Sequence, residues 1–306
     1  MRVAAVQATP VLLDRDATID RVGEATAEAA ADGARLILFP EAFVPGYPDW
    51  VWRTQPWRDT QWYSRFADQA VTVPSEATDR LGDIARDNDA YLVVGIDERE
   101  PLSATIYNSL LYLGPDGDVL GCHRKLMPTG GERLAWGSGD GSTLTVIDTP
   151  FGRVGGLICW ENYMPLARTA MYAQGIDILL APTWDNSDEW VPTLRHIGKE
   201  GRVFVMGCTP CQRGADVPAD LPGRDELYPS GHDDWMSKGN TTIVGPDGDV
   251  LAGPLIGTTG IVTADLDLDR IATARRQFDP VGHYARPDVF ALTIDTRPRP
   301  AATFTT

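Results

Sequence analysis

The string Gly-Pro-Asp-Gly-Asp-Val-Leu occurs twice, at Gly114–Leu120 and at Gly245–Leu251. Both copies follow an apolar run of strand character and precede another. Proline fixes φ near −65° and the second glycine supplies a positive φ, so each copy reads as the turn of a β-hairpin. The spacing is far too long for a solenoid. One favourable hairpin turn used twice is the simpler reading; two sheets related by pseudo-symmetry, each with its own hairpin, is the favoured one, because alternating elements recur on both sides of the midpoint.

The elements around the hairpins agree with that reading. Arg2–Ala8, Leu36–Phe39 and Tyr91–Ile96 read as strands, and alanine-rich Asp14–Asp32 and a segment opened by Ser75 read as helices between them. Asn108–Leu113 and Val119–His123 flank the first turn. After the midpoint, Val154–Ile158, Ile178–Ala181 and Val203–Gly207 read as strands, separated by helices near Met164–Gln174 and Trp190–Arg202. Thr241–Val244, Val250–Leu251 and Thr259–Ala264 follow as strands, and Leu268–Gln277 as a last helix. Strands alternating with helices specify an α/β fold whose sheets are covered by helices. Cys208–Lys238 reads as one long loop rich in Pro, Gly and Asp. No linker divides the 306 residues, so a single domain is expected, with an extended tail from about Asp279.

Charge excludes several functions. The formal net charge is −16, which repels phosphate backbones and anionic bilayers, so neither nucleic acid nor a membrane is an expected partner. No run of about 18 apolar residues is present. The N-terminal MRVAAVQATP lacks the apolar core of a signal peptide, and four cysteines are too few for a disulfide scaffold. A cytoplasmic location is the expectation. Lysine occurs only at Lys125, Lys199 and Lys238 against 24 arginines, so a lysine marks a position where a compact point charge has its own use.

Three segments carry candidate chemistry. In Val154-Gly-Gly-Leu-Ile-Cys-Trp-Glu-Asn162 an apolar strand ends in Cys159 and helix-forming sequence follows. A nucleophile on such a turn is exposed at a sheet edge, and the backbone N–H groups beyond it favour negative charge. The alternative is a buried structural thiol, the commoner state of a free cysteine. In His123-Arg-Lys-Leu-Met-Pro-Thr-Gly-Gly-Glu-Arg133, Lys125 and Glu132 combine a cation with a carboxylate that would keep it charged and aimed. The alternative is a solvated loop. In Phe39-Pro-Glu-Ala-Phe-Val-Pro-Gly-Tyr-Pro48, Glu41 directly follows a buried strand, where α/β folds place ligands, and partial burial would raise its pKa toward acid–base duty. The alternative is a carboxylate capping nearby backbone. His123, His196, His232 and His283 are the only histidines, and none pairs with the cysteine in sequence. Cys208-Thr-Pro-Cys211 lacks the second pair a zinc site needs. Trp50, Trp52, Trp57 and Trp62 crowd the stretch after Glu41 and are expected to form an aromatic wall beside the site, with packing under a surface loop as the alternative.

Taken in order, these motifs resemble the nitrilase superfamily, carbon–nitrogen hydrolases with a four-layer αββα sandwich of two mixed sheets. The resemblance runs from about Val3 to Asp288 and includes RHIGKEGRVF and VGHYARPDVF. It implies a Glu–Lys–Cys triad at Glu41 in FPEAF, Lys125 in HRKLMPT and Cys159 in GLICWEN, with Glu132 in PTGGERLAWGSGDG as a second, positioning glutamate. CWEN followed by YMPLAR resembles the nitrilase branch, whereas amidase branches more often carry Tyr-Asp or Asn-Asp after the cysteine. Trp184 in APTWDNSDEW departs from the small residue often found there. Nitrilase chemistry needs no metal or organic cofactor. It implies a small nitrile as substrate, with Tyr47, Trp160 and Trp184 as substrate-binding residues that suit an aryl or arylalkyl group. A homodimer or larger homo-oligomer built through helices near the nucleophile is also implied. An amidase or a cyanide-degrading enzyme of the same superfamily is the alternative activity, and a catalytically silent binding module on the same fold is the alternative of another class.

Overall fold

The computed structural model describes residues 1–229, 235–300 and 302; His232 lies outside them. The first sheet contains Arg2–Gln7 (β1), Leu36–Leu38 (β2), Tyr91–Arg99 (β3), Ile106–Leu113 (β4) and Val119–Arg124 (β5). The second contains Val146–Thr149 (β6), Gly152–Gly156 (β7), Ile178–Pro182 (β8) and Phe204–Cys208 (β9). Cys211–Arg213 (β10) and Trp235–Lys238 (β11) form a separate antiparallel pair. Thr241–Val244 (β12) and Val250–Leu255 (β13) complete the second sheet, and Gly260–Asp265 (β14) returns to edge the first.

The sheet orders are β14-β1-β2-β3-β4-β5 and β6-β7-β8-β9-β12-β13. In each, three central strands are parallel, β1-β2-β3 and β7-β8-β9, and are flanked by antiparallel neighbours. The duplicated string forms equivalent turns between β4 and β5 and between β12 and β13. Gly114 N–H donates to Asp118 O and Gly117 N–H to Gly114 O, while Gly245 and Gly248 repeat both bonds with Asp249 O and Gly245 O. Gly117 and Gly248 have φ of 91° and 80°, a region that a side chain would strain.

Among the described residues, seven α-helices complete the fold: Arg15–Ala31 (α1), Thr60–Gln69 (α2), Glu76–Asp87 (α3), Pro165–Ala173 (α4), Trp190–Gly201 (α5), Arg224–Leu227 (α6) and Asp269–Gln277 (α7). Two show clear start signals: α1 is capped by the Asp14 carboxylate on Ala17 N–H, and α4 begins with proline at its first position. Strand alternation then builds four layers. Val3 and Ala5 of β1, with Leu36 and Leu38 of β2, face Val154, Ile178, Leu180, Phe204 and Met206 across the gap between sheets. Ala4, Val6 and Ile37 face outward onto Ile19 and Val22 of α1 and Leu81 and Ala85 of α3. Leu179, Ala181 and Val205 do the same against Met171 of α4 and Leu194 and Ile197 of α5. The parallel strands are apolar on both faces because both faces are covered. This is the expected αββα sandwich.

Two expectations change. The 208–238 stretch is not one long loop: β10 and β11 pair within it, and α6 packs Leu227 and Tyr228 into the Trp62 cluster. Its short elements are separated by proline and glycine, which conceal their periodicity. The segment after Cys159 is first a short 3₁₀ turn, Cys159–Tyr163, and becomes α-helical only at Pro165. The described residues beyond Asp279 form turns and extended segments that are largely exposed; Arg299 N–H donates to the Asp140 carboxylate there.

Candidate active site

Glu41, Lys125, Glu132 and Cys159 converge at the rim between the two sheets. Glu41 lies just beyond β2, at the carboxyl end of a parallel strand. Its loop is held onto β3 by bonds from Phe39 N–H to Val93 O and from Val44 N–H to Gly95 O. A Cβ at position 95 would collide with Pro40 O and the backbone around Glu41, so only glycine lets the loop lie this close. Lys125 follows β5, and its backbone is fixed on both sides: its N–H donates to Asn108 O and its carbonyl accepts from Gly139 N–H. Glu132 sits in the 3₁₀ turn Gly130–Leu134 and accepts from Thr129 N–H at 2.6 Å. Cys159 opens the turn after β7 with a left-handed φ of 54°, a strained conformation for a residue with a Cβ and one that clusters at functional positions.

Lys125 Nζ donates to Glu41 Oε1 at 2.6 Å and to Glu132 Oε2 at 2.8 Å. Glu41 also accepts from Asn108 Nδ2 on Oε1 and from the Trp184 N–H on Oε2, both at 2.7 Å. Thr183 Oγ1 lies 3.1 Å from Cys159 Sγ and donates to it. The second sheet therefore reaches both the carboxylate and the thiol through one dipeptide at the end of β8. The Trp136 ring lies 5.6 Å from the Lys125 ammonium, within cation–π range. All four side chains are at most 4% exposed.

Burial dominates the titration of the cluster. It raises the Glu41 pKa above the usual glutamate value, and the Glu132 charge adds to it against the opposing pull of Lys125 and Asn108. Burial and the Glu41 charge likewise push the Cys159 thiol up, outweighing Lys125. The shift favours a neutral thiol at Cys159 over a preformed thiolate. Burial alone would discharge Lys125, but the charges of Glu41 and Glu132 hold its pKa above the normal lysine value. The arrangement combines a proton acceptor, a fixed positive charge and a nucleophile in a water-poor rim, where electrostatic stabilisation is strongest.

A cavity of about 660 Å³ opens over this cluster, bordered by Cys159, Glu132, Tyr47, Trp52, Trp160 and Trp184 among others. Tyr47 is bound into the site itself: its hydroxyl donates to Glu132 Oε1 at 2.8 Å, and its ring stacks on Trp184 at 4.3 Å and 5°. Trp184 carries two functions, its ring in that stack and its N–H on Glu41. Trp160 is half exposed, with its indole N–H bound to Asp185 Oδ2 at 2.9 Å. Its own backbone N–H lies in the first turn of the 3₁₀ segment, where such donors have no intrahelical acceptor. The expected four-tryptophan wall is not present as such. Trp52 borders the cavity, but Trp50 and Trp62 are buried against each other and against Phe66 or Tyr228, and Trp57 is 86% exposed.

Sequence reasoning missed three contributors: Asn108, Thr183 and the backbone N–H of Trp184. Asn108 is a polar residue inside an apolar strand, a pattern that could have flagged it. Thr183 and the Trp184 N–H could be found only by knowing that β8 ends beside β2 of the other sheet. Cys208 and Cys211 lie elsewhere: Cys208 Sγ donates to the Val6 and Leu38 carbonyls between the sheets, and both thiols are free. Among the described residues, no three His, Cys, Asp or Glu side chains are grouped to hold a metal ion, and no helix is long and apolar enough to cross a membrane.

Comparison with known proteins settles the lineage. The family model for carbon–nitrogen hydrolases matches residues 2–276. The chain belongs to the carbon–nitrogen hydrolase family. Nitrilase 1 of Arabidopsis thaliana is 46% identical to this hydrolase over 316 residues, covering 100% of this chain and 90% of the relative. The aliphatic nitrilase of Sinorhizobium fredii (strain HH103) is 46% identical over 307 residues, covering 98% and 97%. In fold, the hydrolase is similar to Saccharomyces cerevisiae Nit3, a member of branch 10 of the nitrilase superfamily. The TM-score is 0.73 at 22% identity, with 93% of this chain and 96% of that one covered. The chain is thus an enzyme of nitrilase type.

Proposed function

We propose that this single-domain enzyme hydrolyses a small nitrile to the carboxylic acid and ammonia through a covalent intermediate on Cys159. The reading is carried by one observation: the Cys159 thiol borders a cavity together with Glu132, and Glu132 and Glu41 clamp the buried Lys125 ammonium beside it. The full-length likeness to two nitrilases supports the choice of nitrile. Sulfur attacks the nitrile carbon while the thiol proton passes by way of Glu41 to the nitrogen, giving a thioimidate. Water adds to the C=N carbon with Glu41 as base, and Glu41 passes that proton to the nitrogen. Glu41 then takes the remaining hydroxyl proton and delivers it to the nitrogen as the C–N bond breaks, so ammonia leaves and a thioester remains. A second water releases the acid and restores the thiol. Lys125 and the Trp160 N–H stabilise the negative charge of the tetrahedral states. The aromatic faces of Trp184 and Trp160 border the substituent, with Tyr47 backing Trp184. Ammonia release across a panel of alkyl, aryl and arylalkyl nitriles tests the activity; no release from any of them contradicts it.

A pH profile tests Glu41 as the base. It acts as a carboxylate, and its pKa stands above the ordinary 4.5. On lowering the pH, kcat/KM is expected to fall with a midpoint above 4.5, because the free enzyme's essential base reports there. A midpoint at or below that value would remove Glu41 from this role.

We also propose a cytoplasmic homodimer. Four free thiols suit a reducing compartment. Tyr163, Met164 and Leu166 form an exposed apolar group directly after the nucleophile turn, at the place where the resemblance puts the pairing helices. Light scattering should report twice 33.3 kDa or a multiple of it; a monomer at micromolar concentration contradicts the pairing.

A further inference from the structure

His123 and Glu161 are a buried acid–imidazole pair that the four-residue cluster does not use. They are 0% and 1% exposed. His123 Nδ1 lies 2.8 Å from the Thr143 carbonyl, and Nε2 lies 3.0 and 3.2 Å from the two Glu161 oxygens. Both ring nitrogens face oxygens, the Thr143 carbonyl and the Glu161 carboxylate, an arrangement that suits an imidazolium donating from both. Burial opposes the charge on each partner, but the facing charge prevails: the His123 pKa is raised and the Glu161 pKa lowered.

The remaining bonds of Glu161 reach both halves of the site. Its Oε1 accepts from Leu126 N–H at 2.7 Å, and its Oε2 accepts from Ile158 N–H at 2.6 Å. Leu126 follows Lys125, and Ile158 precedes Cys159. One carboxylate thus ties the loop leaving β5 of the first sheet to the turn leaving β7 of the second. It also pins the residue just before the left-handed φ of Cys159. We propose that Glu161, held by the His123 imidazolium, is a positioning residue that fixes the spacing between the Lys125 ammonium and the Cys159 thiol. This rests on the reading that Lys125 and Cys159 perform the chemistry.

The test is Glu161→Gln, alongside His123→Gln and Cys159→Ala. A glutamine oxygen serves one of the two backbone N–H groups, while its amide turns a donor toward the other. The binding surface for nitrile is untouched. A shift of the nucleophile of about 1 Å is worth about 10²-fold in rate, so kcat should fall by about that factor. KM should stay within about threefold, the pattern of an interaction absent from ground-state binding. Alkylation of Cys159 by iodoacetamide, followed by peptide mass spectrometry, should slow in parallel. His123→Gln keeps a donor toward Glu161 but loses the charge, and should cost about tenfold in kcat with the same unchanged KM. The proposal is overturned if folded Glu161→Gln keeps near-wild-type kcat, or if its loss lies in KM with alkylation unchanged. Should Glu161→Gln not fold, wild-type kcat in His123→Gln overturns it equally. Turnover retained by Cys159→Ala would instead overturn the reading beneath it.

Discussion

Cys159→Ala is expected to abolish nitrile turnover, by at least about 10⁴-fold, while the protein folds normally. Removing the sulfur removes the atom that forms the covalent bond, and no other thiol borders the cavity among the described residues. The structural consequence is small. The thiol's one hydrogen bond comes from Thr183, whose hydroxyl also accepts from Asp185 N–H, so its loss is worth on the order of 1 kcal/mol. Cys159→Ser retains an acceptor for Thr183 and should fold equally well, but remain inactive because a buried alcohol is a much weaker nucleophile than a thiol. Circular dichroism and a thermal melt separate lost chemistry from lost fold.

Lys125→Arg and Glu132→Gln are expected to cripple the enzyme although both look conservative. The ammonium is fully buried, 2.6 Å from one carboxylate and 2.8 Å from the other. A guanidinium is planar, wider and spreads its charge, so it cannot occupy that point without displacing Glu41 or filling the cavity. Loss of such a stabilising donor typically costs about 10²–10³-fold in kcat. Glu132→Gln differs in kind. Its oxygen can still face Lys125 and Thr129 N–H, and its amide can donate to the Tyr47 hydroxyl, so the turn should persist. The lysine then loses one of two counter-charges, and Glu41 loses the neighbour that helps raise its pKa. Activity should fall, and the acid limb of kcat/KM should move to lower pH. If Lys125→Arg kept more than about a tenth of wild-type turnover, far above the loss expected for such a donor, the lysine would not stabilise the reacting charge. An unmoved acid limb in Glu132→Gln would show that Glu132 does not couple to Glu41.

Much of this site was legible along the chain because three of its members follow strand-like runs: Glu41 after Leu36–Leu38, Lys125 after Val119–Arg124, and Cys159 shortly after Gly152–Gly156. Strands apolar on both faces are easy to read, and the duplicated hairpin turn reflects the matching order of the two sheets. What stayed hidden depends on contacts between distant segments. Glu161 and His123 are 38 residues apart, and Trp184 meets Glu41 across 143 residues; neither pairing leaves a local pattern. Strand β6 was missed because it is a four-residue edge, half exposed and weakly apolar. Helix α2 was missed because only Trp62 and Phe66 of its ten residues are buried. That pair also explains the tryptophan cluster. Trp50 and Trp62 hold a subsidiary core beneath the rim, which spacing in the sequence cannot distinguish from a wall facing substrate.

The most direct test of the account is to quench the enzyme during turnover of its best nitrile and map the adduct by peptide mass spectrometry. The account predicts an acyl or imidoyl group on the peptide carrying Cys159, absent from Cys159→Ala and accumulating in variants that slow thioester hydrolysis. An adduct on Cys122, Cys208 or Cys211 that disappears with activity, or steady turnover with Cys159 unmodified under conditions that trap the other thiols, would contradict it.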